Sequence, residues 1–395
     1  MGTLTKINIS PSKKPKILLA PLDWGLGHAT RCIPIIKELL NQKCEVCVAA
    51  SGAQRALLEE EFPSLSFVEL PGYNIKYGNN RAFTLLKIVA SIPKILIRIK
   101  QEKAWLRRFL VTQRPDVLIS DNRYGLYAPG VCSVFITHQL RIRTPFGAFA
   151  DTLLQWFHYR AIRRFSVCWI PDGEGPGSLA GTLSHPPQLP PIPTRYIGLL
   201  SRFERLPPAG AGEPPSCDLL VLLSGPEPQR TIFEKRVLDQ LSAYSGSTIL
   251  VRGLPGPGVS AILPGEGGIG VRVYNHLPGK ALNAVMAGAG IVLCRAGYST
   301  IMDLLKLGKK AILVPTPGQT EQEYLGSYLS GKGIALCREQ STFSLSGALA
   351  QAQDFPFRGI GEGPTAGISI QGSSGIQDSP GGSDLLKEAI HALLG

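Results

Sequence analysis

At 395 residues, 44% of them hydrophobic and 18% charged, the chain is long enough for two domains with separate cores, and its composition excludes a globally disordered protein. The formal net charge of +12 is unevenly held: residues 1–200 carry 25 Lys and Arg against 13 Asp and Glu, whereas residues 201–395 carry 16 of each. That asymmetry points to one domain that faces an anionic partner and another that does not.

The opening MGTLTKINISPSKKPK is basic but lacks the apolar stretch of a secretory signal, and no uncharged apolar run reaches the roughly 18–20 residues of a membrane span. Eight cysteines are scattered along the chain. The one close pair, Cys44 and Cys47, falls in a strand-like run where residues three apart point to opposite faces, so reduced core thiols are expected rather than a disulfide or zinc.

In chain order, KILLAPL (16–22) reads as a strand, followed by a glycine loop and a helix through residue 40, with Ile33, Ile36, Leu39 and Leu40 at helical spacing. EVCVAAS (45–51), LSFVELP (65–71), PDVLISD (115–121), SVFITH (133–138), FSVCWIPD (165–172) and TRYIGLL (194–200) read as further strands, with AQRALLEEE (53–61) as a helix between the first two. SRFERLPPAGAGEPPS (201–216) has the composition of a linker. A second series then runs through CDLLVLLS (217–224), STILVRG (247–253), VRVYNH (271–276), GIVLCRAG (290–297), KAILVPTP (310–317) and GIALCRE (333–339). Residues 356–383 are rich in Gly and Ser without periodicity and read as a mobile segment, and LLKEAIHALL (385–394) as a terminal helix.

Two runs of alternating strands and helices predict two doubly wound, Rossmann-like α/β domains with parallel sheets. The expected boundaries are 1–200, the linker 201–216, 217–355, the mobile segment 356–383 and a final helix over 384–395. Ligands of such sheets bind at the carboxyl ends of the strands, so the residues just after each strand carry the function.

After the first strand stands DWGLGHATR (23–31). Gly25 and Gly27 begin a dinucleotide fingerprint, but Thr30 replaces its third small residue and the second strand ends in Ser51 instead of an acid, which argues against NAD or FAD. Glycine lets a backbone approach a ligand closely, and an imidazole at a helix N-terminus has its pKa pushed down, so His28 is a candidate general base.

WGLGHATRCIPIIKEL resembles the first loop and helix of GT-B glycosyltransferases related to MurG and the diacylglycerol glycosyltransferases, in glycosyltransferase family 28. VLCRAGYSTIMDLLKLGKKAILVPTPGQTEQEYLGSYLSGKG (292–333) resembles their nucleotide-sugar segment almost without gaps. The likeness runs over roughly residues 15–340 and is loose over 72–114. It implies a GT-B fold, with two Rossmann-like domains facing a central cleft, an N-terminal acceptor domain and a C-terminal donor domain.

The donor expectations follow from both sources. Arg295, Gly297, Tyr298, Ser299 and Thr300 lie where a strand turns into a helix, so free backbone N–H groups and the helix dipole would meet a diphosphate, with Asp303 one turn in for the ribose. The resemblance places Gln322 and Glu323, assisted by Gln319, at the donor sugar, with Glu323 standing where relatives often carry a second glutamine. Ser224 and Gly225 match the family's donor loop, Arg230 is a charge partner for phosphate, Asn275 lies near the nucleobase, and Gly25 and Gly27 complete the set. An ordinary strand-to-helix turn and a proline-stiffened turn are the plain alternatives for the local patterns. Helix dipoles and backbone amides can offset diphosphate charge, so neither a metal nor a resident cofactor is expected; a UDP-sugar is the co-substrate.

On the acceptor side, SDNRYG (120–125) and THQ (137–139) end two strands. Asp121 rivals His28 as the base, and Asn122, Arg123, His138 and Gln139 are acceptor candidates. Residues 81–110 hold eight basic residues and one acid interleaved with apolar ones, which reads as a surface for anionic lipid; a core helix with a solvated basic face, divided at Pro93, is the alternative. Arg160, Arg163 and Arg164 add a second basic cluster. No nucleic-acid-binding module accompanies the charge.

Together these imply an inverting, metal-independent enzyme that moves a hexose or N-acetylhexosamine from a UDP-sugar to a hydroxyl of a lipid-linked or glycan acceptor. It would work in the cytoplasm, peripheral on the cytoplasmic face of the membrane. GLGHATRCIPI also resembles the UDP-sugar hydrolases of the pseudaminic-acid pathway, and a non-catalytic nucleotide-sugar-binding relative is the third reading.

Overall fold

The computed structural model describes residues 13–73, 87, 90–144, 146–205, 216–254, 260–263, 270–359 and 382–395. The chain divides into two compact units, one built mainly from the residues up to Leu200 and the other from Ser201 onward.

The first unit runs β1 (Lys16–Pro21), α1 (Gly27–Asn41), β2 (Glu45–Ala50), α2 (Gly52–Glu61), β3 (Ser66–Glu69), α3 (Ile92–Thr112), β4 (Val117–Asp121), β5 (Cys132–Ile136), α4 (Ala148–Ile162), β6 (Val167–Ile170) and β7 (Thr194–Tyr196). Its seven strands lie in the order β3-β2-β1-β4-β5-β6-β7, every neighbouring pair parallel. Ile17, Leu18 and Leu19 of β1 and Val117, Leu118 and Ile119 of β4 are buried, as unbroken apolar runs in the middle of a parallel sheet should be. The chain winds outward from β1 to β3 and then returns to lay β4 on the other side of β1, with Pro21 paired to Asp121. The strand order reverses there, which opens a crevice at the carboxyl ends of β1 and β4.

The second unit runs β8 (Cys217–Leu222), α5 (Gln229–Leu241), β9 (Thr248–Val251), β10 (Ser260–Leu263), β11 (Val271–Tyr274), α6 (Gly279–Gly288), β12 (Ala289–Cys294), α7 (Tyr298–Lys306), β13 (Ala311–Leu313), α8 (Thr320–Gly331), β14 (Leu336–Cys337) and α9 (Leu345–Asp354). The order is β10-β11-β9-β8-β12-β13-β14, so the equivalent crevice lies between β8 and β12. Leu219, Val221, Leu250, Leu293 and Ile312 of this sheet pack against Phe233 and Val237 of α5.

The structure departs from the sequence reading in two places. β10 pairs antiparallel with β11, an edge addition of the kind parallel sheets commonly carry, whereas periodicity predicted parallel strands alone. The final helix, α10 (Gly382–Leu394), is part of the first unit: Leu386, Ala389, Ile390 and Leu393 are buried along one face, and Arg195 donates to the Glu388 carbonyl at 3.0 Å. Pro93 stands at the first turn of α3, where its missing N–H costs nothing; helical Ala90 precedes it across a turn at Ser91, so the segment is divided there.

Most of the 201–216 linker (206–215), most of the 356–383 segment (360–381) and residues 81–86, 88 and 89 of the basic stretch lie outside the described residues. Among the described residues, no helix is long and apolar enough to cross a membrane.

Candidate active site

At the β1/β4 crevice the chain places two predicted residues side by side. Gly25 takes φ +82°, a left-handed turn that glycine adopts without strain, and α1 begins two residues later. Gln54 of α2 holds that loop by donating to the carbonyls of Leu22 and Gly25. His28, in the first turn of α1, reaches Asp121 at the end of β4: Nδ1 to Oδ2 is 3.0 Å. Asn122 follows with φ +57°, a conformation asparagine tolerates, and turns the chain away immediately after the carboxylate.

Arg31 completes the constellation, and the sequence reading passed over it. It lies one turn beyond His28 on the same face of α1. Its Nε donates to Asp121 Oδ2 at 2.8 Å, its Nη2 reaches Asp121 Oδ1, and the same Nη2 lies 2.8 Å from His28 Nδ1. Nη1 lies 3.1 Å from His138 Nδ1. The i, i+3 spacing of His28 and Arg31 was the available signal.

Asp121 is fully buried. Burial alone would raise its carboxyl, but Arg31 and then His28 outweigh it and hold the group well below the usual carboxylate range. His28 is lowered, first by burial and then by the Arg31 charge, against the opposing pull of Asp121. The result is an ionised carboxylate beside a neutral imidazole. With Nδ1–H donated to Asp121, Nε2 keeps its lone pair and can accept a proton.

Two of the acceptor candidates lie outside this cluster. Arg123 is fully buried, donating to the Pro21 carbonyl at 2.7 Å, to Glu102 at 2.8 Å and to the Pro71 carbonyl at 3.4 Å, and ties β1, α3 and the end of β3 together. Glu102 also accepts from Tyr73 and from the Gly125 N–H. His138 of this strand end joins the cluster, while Gln139 is half-buried with its backbone N–H donated to Thr137 Oγ1.

In the second unit, three loops meet the β8/β12 crevice. Gly297 caps α7 without a side chain, and a Cβ there would approach only Thr300 Oγ1, at 3.9 Å, so the helix start has open space before it. Tyr298 is buried, while Ser299 and Thr300 are half-buried. Gly225 takes φ +99° in the loop after β8, next to half-buried Ser224. Thr316, just after β13, was not foreseen. Its hydroxyl is buried with no hydrogen-bond partner among the described residues and lies 3.8 Å from where a Cβ on Gly225 would stand. Its place at a strand's carboxyl end was the signal.

Several of the residues expected at the donor make contacts within the protein. Arg295 is buried, donating to the carbonyls of Gln229 (2.8 Å), Val314 (3.2 Å) and Pro315 (3.4 Å), with its guanidinium 4.3 Å from the Phe233 ring. Burial lowers it to about 9. Arg230 pairs with Glu227 and Glu234, each at 2.6 Å, so its charge is matched within the protein. Asp303 accepts from Ser201 Oγ at 2.6 Å, lies 3.9 Å from Arg202, and is raised by burial to about 6; it faces the start of its own unit.

Gln322 Oε1 accepts from the Thr316 N–H at 2.9 Å and Glu323 Oε1 from the Gly318 N–H at 3.0 Å, fixing the loop between β13 and α8; Gln319 caps α8. The side-chain carbonyl of Asn275 accepts from Arg252 at 3.3 Å and its backbone carbonyl from Leu254 N–H at 2.9 Å.

Known proteins agree with this architecture. Residues 274–355 match the glycosyltransferase family 28 C-terminal domain. The UDP-N-acetylglucosamine–N-acetylmuramyl-(pentapeptide) pyrophosphoryl-undecaprenol N-acetylglucosamine transferase of Haemophilus ducreyi is 22% identical over 334 residues, 82% of this chain and 85% of that protein. An uncharacterized glycosyltransferase of Methanosarcina acetivorans is 25% identical over 347 residues, 83% of this chain and 86% of that protein. The crystal structure of the glycosyltransferase SnogD from Streptomyces nogalater superposes with a TM-score of 0.54 at 18% identity, covering 87% of this chain and 92% of that one. Two doubly wound α/β units, each with a crevice at its switch point, have the architecture of the GT-B fold. Residues 274–355 thus carry a glycosyltransferase family 28 C-terminal domain, and over most of its length the chain is similar to MurG-like transferases.

Proposed function

We propose that this enzyme transfers a hexose or N-acetylhexosamine from a UDP-sugar to a hydroxyl of a lipid-linked or glycan acceptor, with inversion and without a metal. The observation that carries the reading is the His28–Asp121 pair, with its 3.0 Å contact and a carboxylate kept ionised by Arg31. His28 and Asp121 then act together rather than as rivals. Nε2 takes the proton of the acceptor hydroxyl while that oxygen attacks the anomeric carbon from the face opposite the nucleotide. The bond from the anomeric carbon to the diphosphate breaks, its electron pair leaves on UDP, and Asp121 stabilises the imidazolium.

In the second unit, the Gly297–Thr300 helix start and the Ser224–Gly225 turn would receive the diphosphate, offsetting its charge with backbone N–H groups. Gln322, whose carbonyl already anchors the loop, offers its amide NH2 to a sugar hydroxyl. The H. ducreyi relative, by its name, uses UDP-N-acetylglucosamine and an undecaprenol-borne acceptor. That supports the same classes here, and the exposed basic side chains of α3, among them Lys94, Lys100 and Arg107, support work at an anionic membrane surface.

Incubation with radiolabelled UDP-N-acetylglucosamine and membrane lipid extract tests the reading. Labelled lipid should form, and His28→Ala should abolish it while donor binding persists. Rapid stoichiometric release of free sugar in the absence of acceptor would instead assign the same dyad to hydrolysis.

A further inference from the structure

Trp24 stands in the loop between β1 and α1, four residues ahead of His28, and is 39% exposed at the β1/β4 crevice. The residues on either side of it are fixed. Asp23 turns onto the chain just after β3, where its carboxylate accepts from the Tyr73 N–H at 2.8 Å and lies 3.8 Å from buried Arg123. It packs so closely there that a Cβ on Gly72 would collide with it. On the other side, Gln54 holds the Leu22 and Gly25 carbonyls, and Gly25 is committed to its left-handed turn. An indole between two such anchors is a rigid platform, with only two side-chain torsions of its own to fix on binding.

The loop suits a ring better than a phosphate. Phosphate-binding loops place small residues in succession so that backbone N–H groups can reach the anion. Here a bulky indole and the Asp23 carboxylate take the two places ahead of Gly25, which works against an anion. A neutral pyranose fits instead. Its ring C–H bonds form an apolar face of slight positive charge, which complements the negative face of the indole, while its hydroxyls stay at the rim and free to hydrogen-bond. The base and the platform share one anchored loop and helix turn, so the hydroxyl that meets His28 belongs to the ring that Trp24 carries. A nucleobase also stacks on indole, and the test below separates the two.

We propose that Trp24 is the stacking platform for the acceptor sugar, and that it selects a hydroxyl borne on a pyranose ring over one borne on glycerol. This rests on the transferase reading and narrows it, by naming the chemical class of group that receives the sugar and the side chain that recognises it.

The experiment gives the full chain radiolabelled UDP-N-acetylglucosamine with hexyl β-D-glucopyranoside, hexyl β-D-galactopyranoside or dioctanoylglycerol as acceptor. The wild type should label a hexyl glycoside in preference to dioctanoylglycerol. W24A and W24L should raise the acceptor KM about tenfold, the scale of one lost stacking contact, with UDP affinity by calorimetry unchanged. W24F keeps an aromatic face and should recover most of the loss. W24L keeps apolar bulk alone, so recovery by W24L as full as that by W24F overturns the proposal and makes the indole a packing group. An unchanged acceptor KM in W24A or a preference for dioctanoylglycerol also overturns it, as does weakened UDP binding in W24A, which would put the nucleobase on the indole. If no acceptor is labelled, the transferase reading fails separately, and saturation-transfer NMR with the same glycosides decides the platform without turnover. Ring C–H signals seen with the wild type should then vanish with W24A; equal signals from both, or none from the wild type, overturn it.

Discussion

Arg31 and Asp121, ninety residues apart in the chain, meet through two contacts at the carboxyl end of β4, and the same guanidinium reaches His28 Nδ1 at 2.8 Å. His28 Nδ1 therefore stands between a carboxylate that can accept its proton and a cation that can donate to it. Only the tautomer with Nδ1–H toward Asp121 leaves Nε2 able to act as a base, and the carboxylate charge favours that tautomer. Arg31 contributes by keeping Asp121 ionised and His28 neutral.

The pH profile should report this directly. The base works only when neutral, so activity falls as pH drops through the His28 pKa, which lies below its ordinary 6.5. Arg31→Gln removes the nearest positive charge and should move the acid limb of kcat/KM to higher pH. Arg31→Lys, which keeps the charge but not the fork, should leave the limb near its wild-type position at a lower plateau. Loss of the buried partner of Asp121 should also cost about 3–5 kcal/mol of stability in Arg31→Gln, read by urea unfolding.

Asp121→Asn keeps the shape but favours the wrong imidazole tautomer. Its kcat should fall by about 10²–10⁴, with donor affinity by calorimetry unchanged. The variant also separates stability from catalysis. A carboxyl whose folded pKa is depressed contributes stability above its unfolded pKa, near ~3.9, and loses it as pH falls toward the folded value. Unfolding free energy measured across that acid range should therefore fall more steeply for the wild type than for Asp121→Asn.

The buried Thr316 hydroxyl has no hydrogen-bond partner among the described residues. Thr316→Val removes a buried polar group that has no partner, so the ligand-free protein should gain about 1 kcal/mol by thermal unfolding while UDP binding weakens. A loss of stability with unchanged UDP affinity would remove Thr316 from the donor site.

Asp303 behaves in the opposite sense to Asp121. Its carboxyl is raised by burial from 3.8 to about 6. The folded state therefore binds the proton more tightly than the unfolded state, and stability declines as pH rises from about 4 to about 6. Asp303→Asn should be more stable than the wild type at pH 7, by up to about 3 kcal/mol, with the difference fading below pH 4. Urea melts at pH 4 and pH 7 check it.

Periodicity along the chain was enough to read the two α/β series, because each parallel strand is a short apolar run whose burial hardly depends on its neighbours. Strand ends pointed to the loops at the two crevices, where His28, Asp121, Gly225 and Gly297 lie. What each polar side chain touches was not legible. Arg123, Arg230 and Arg295 lie near strand ends, and each donates to carbonyls or carboxylates of the protein. Arg31 gained its meaning only when Asp121 arrived beside it from ninety residues away. Helix α4 makes the same point: sequence shows that a helix has two faces, but only its packing decides which one meets water, and here hydrogen bonds from Tyr124, Leu140, Ile142 and Thr144 hold the polar face in and leave the aromatic face out.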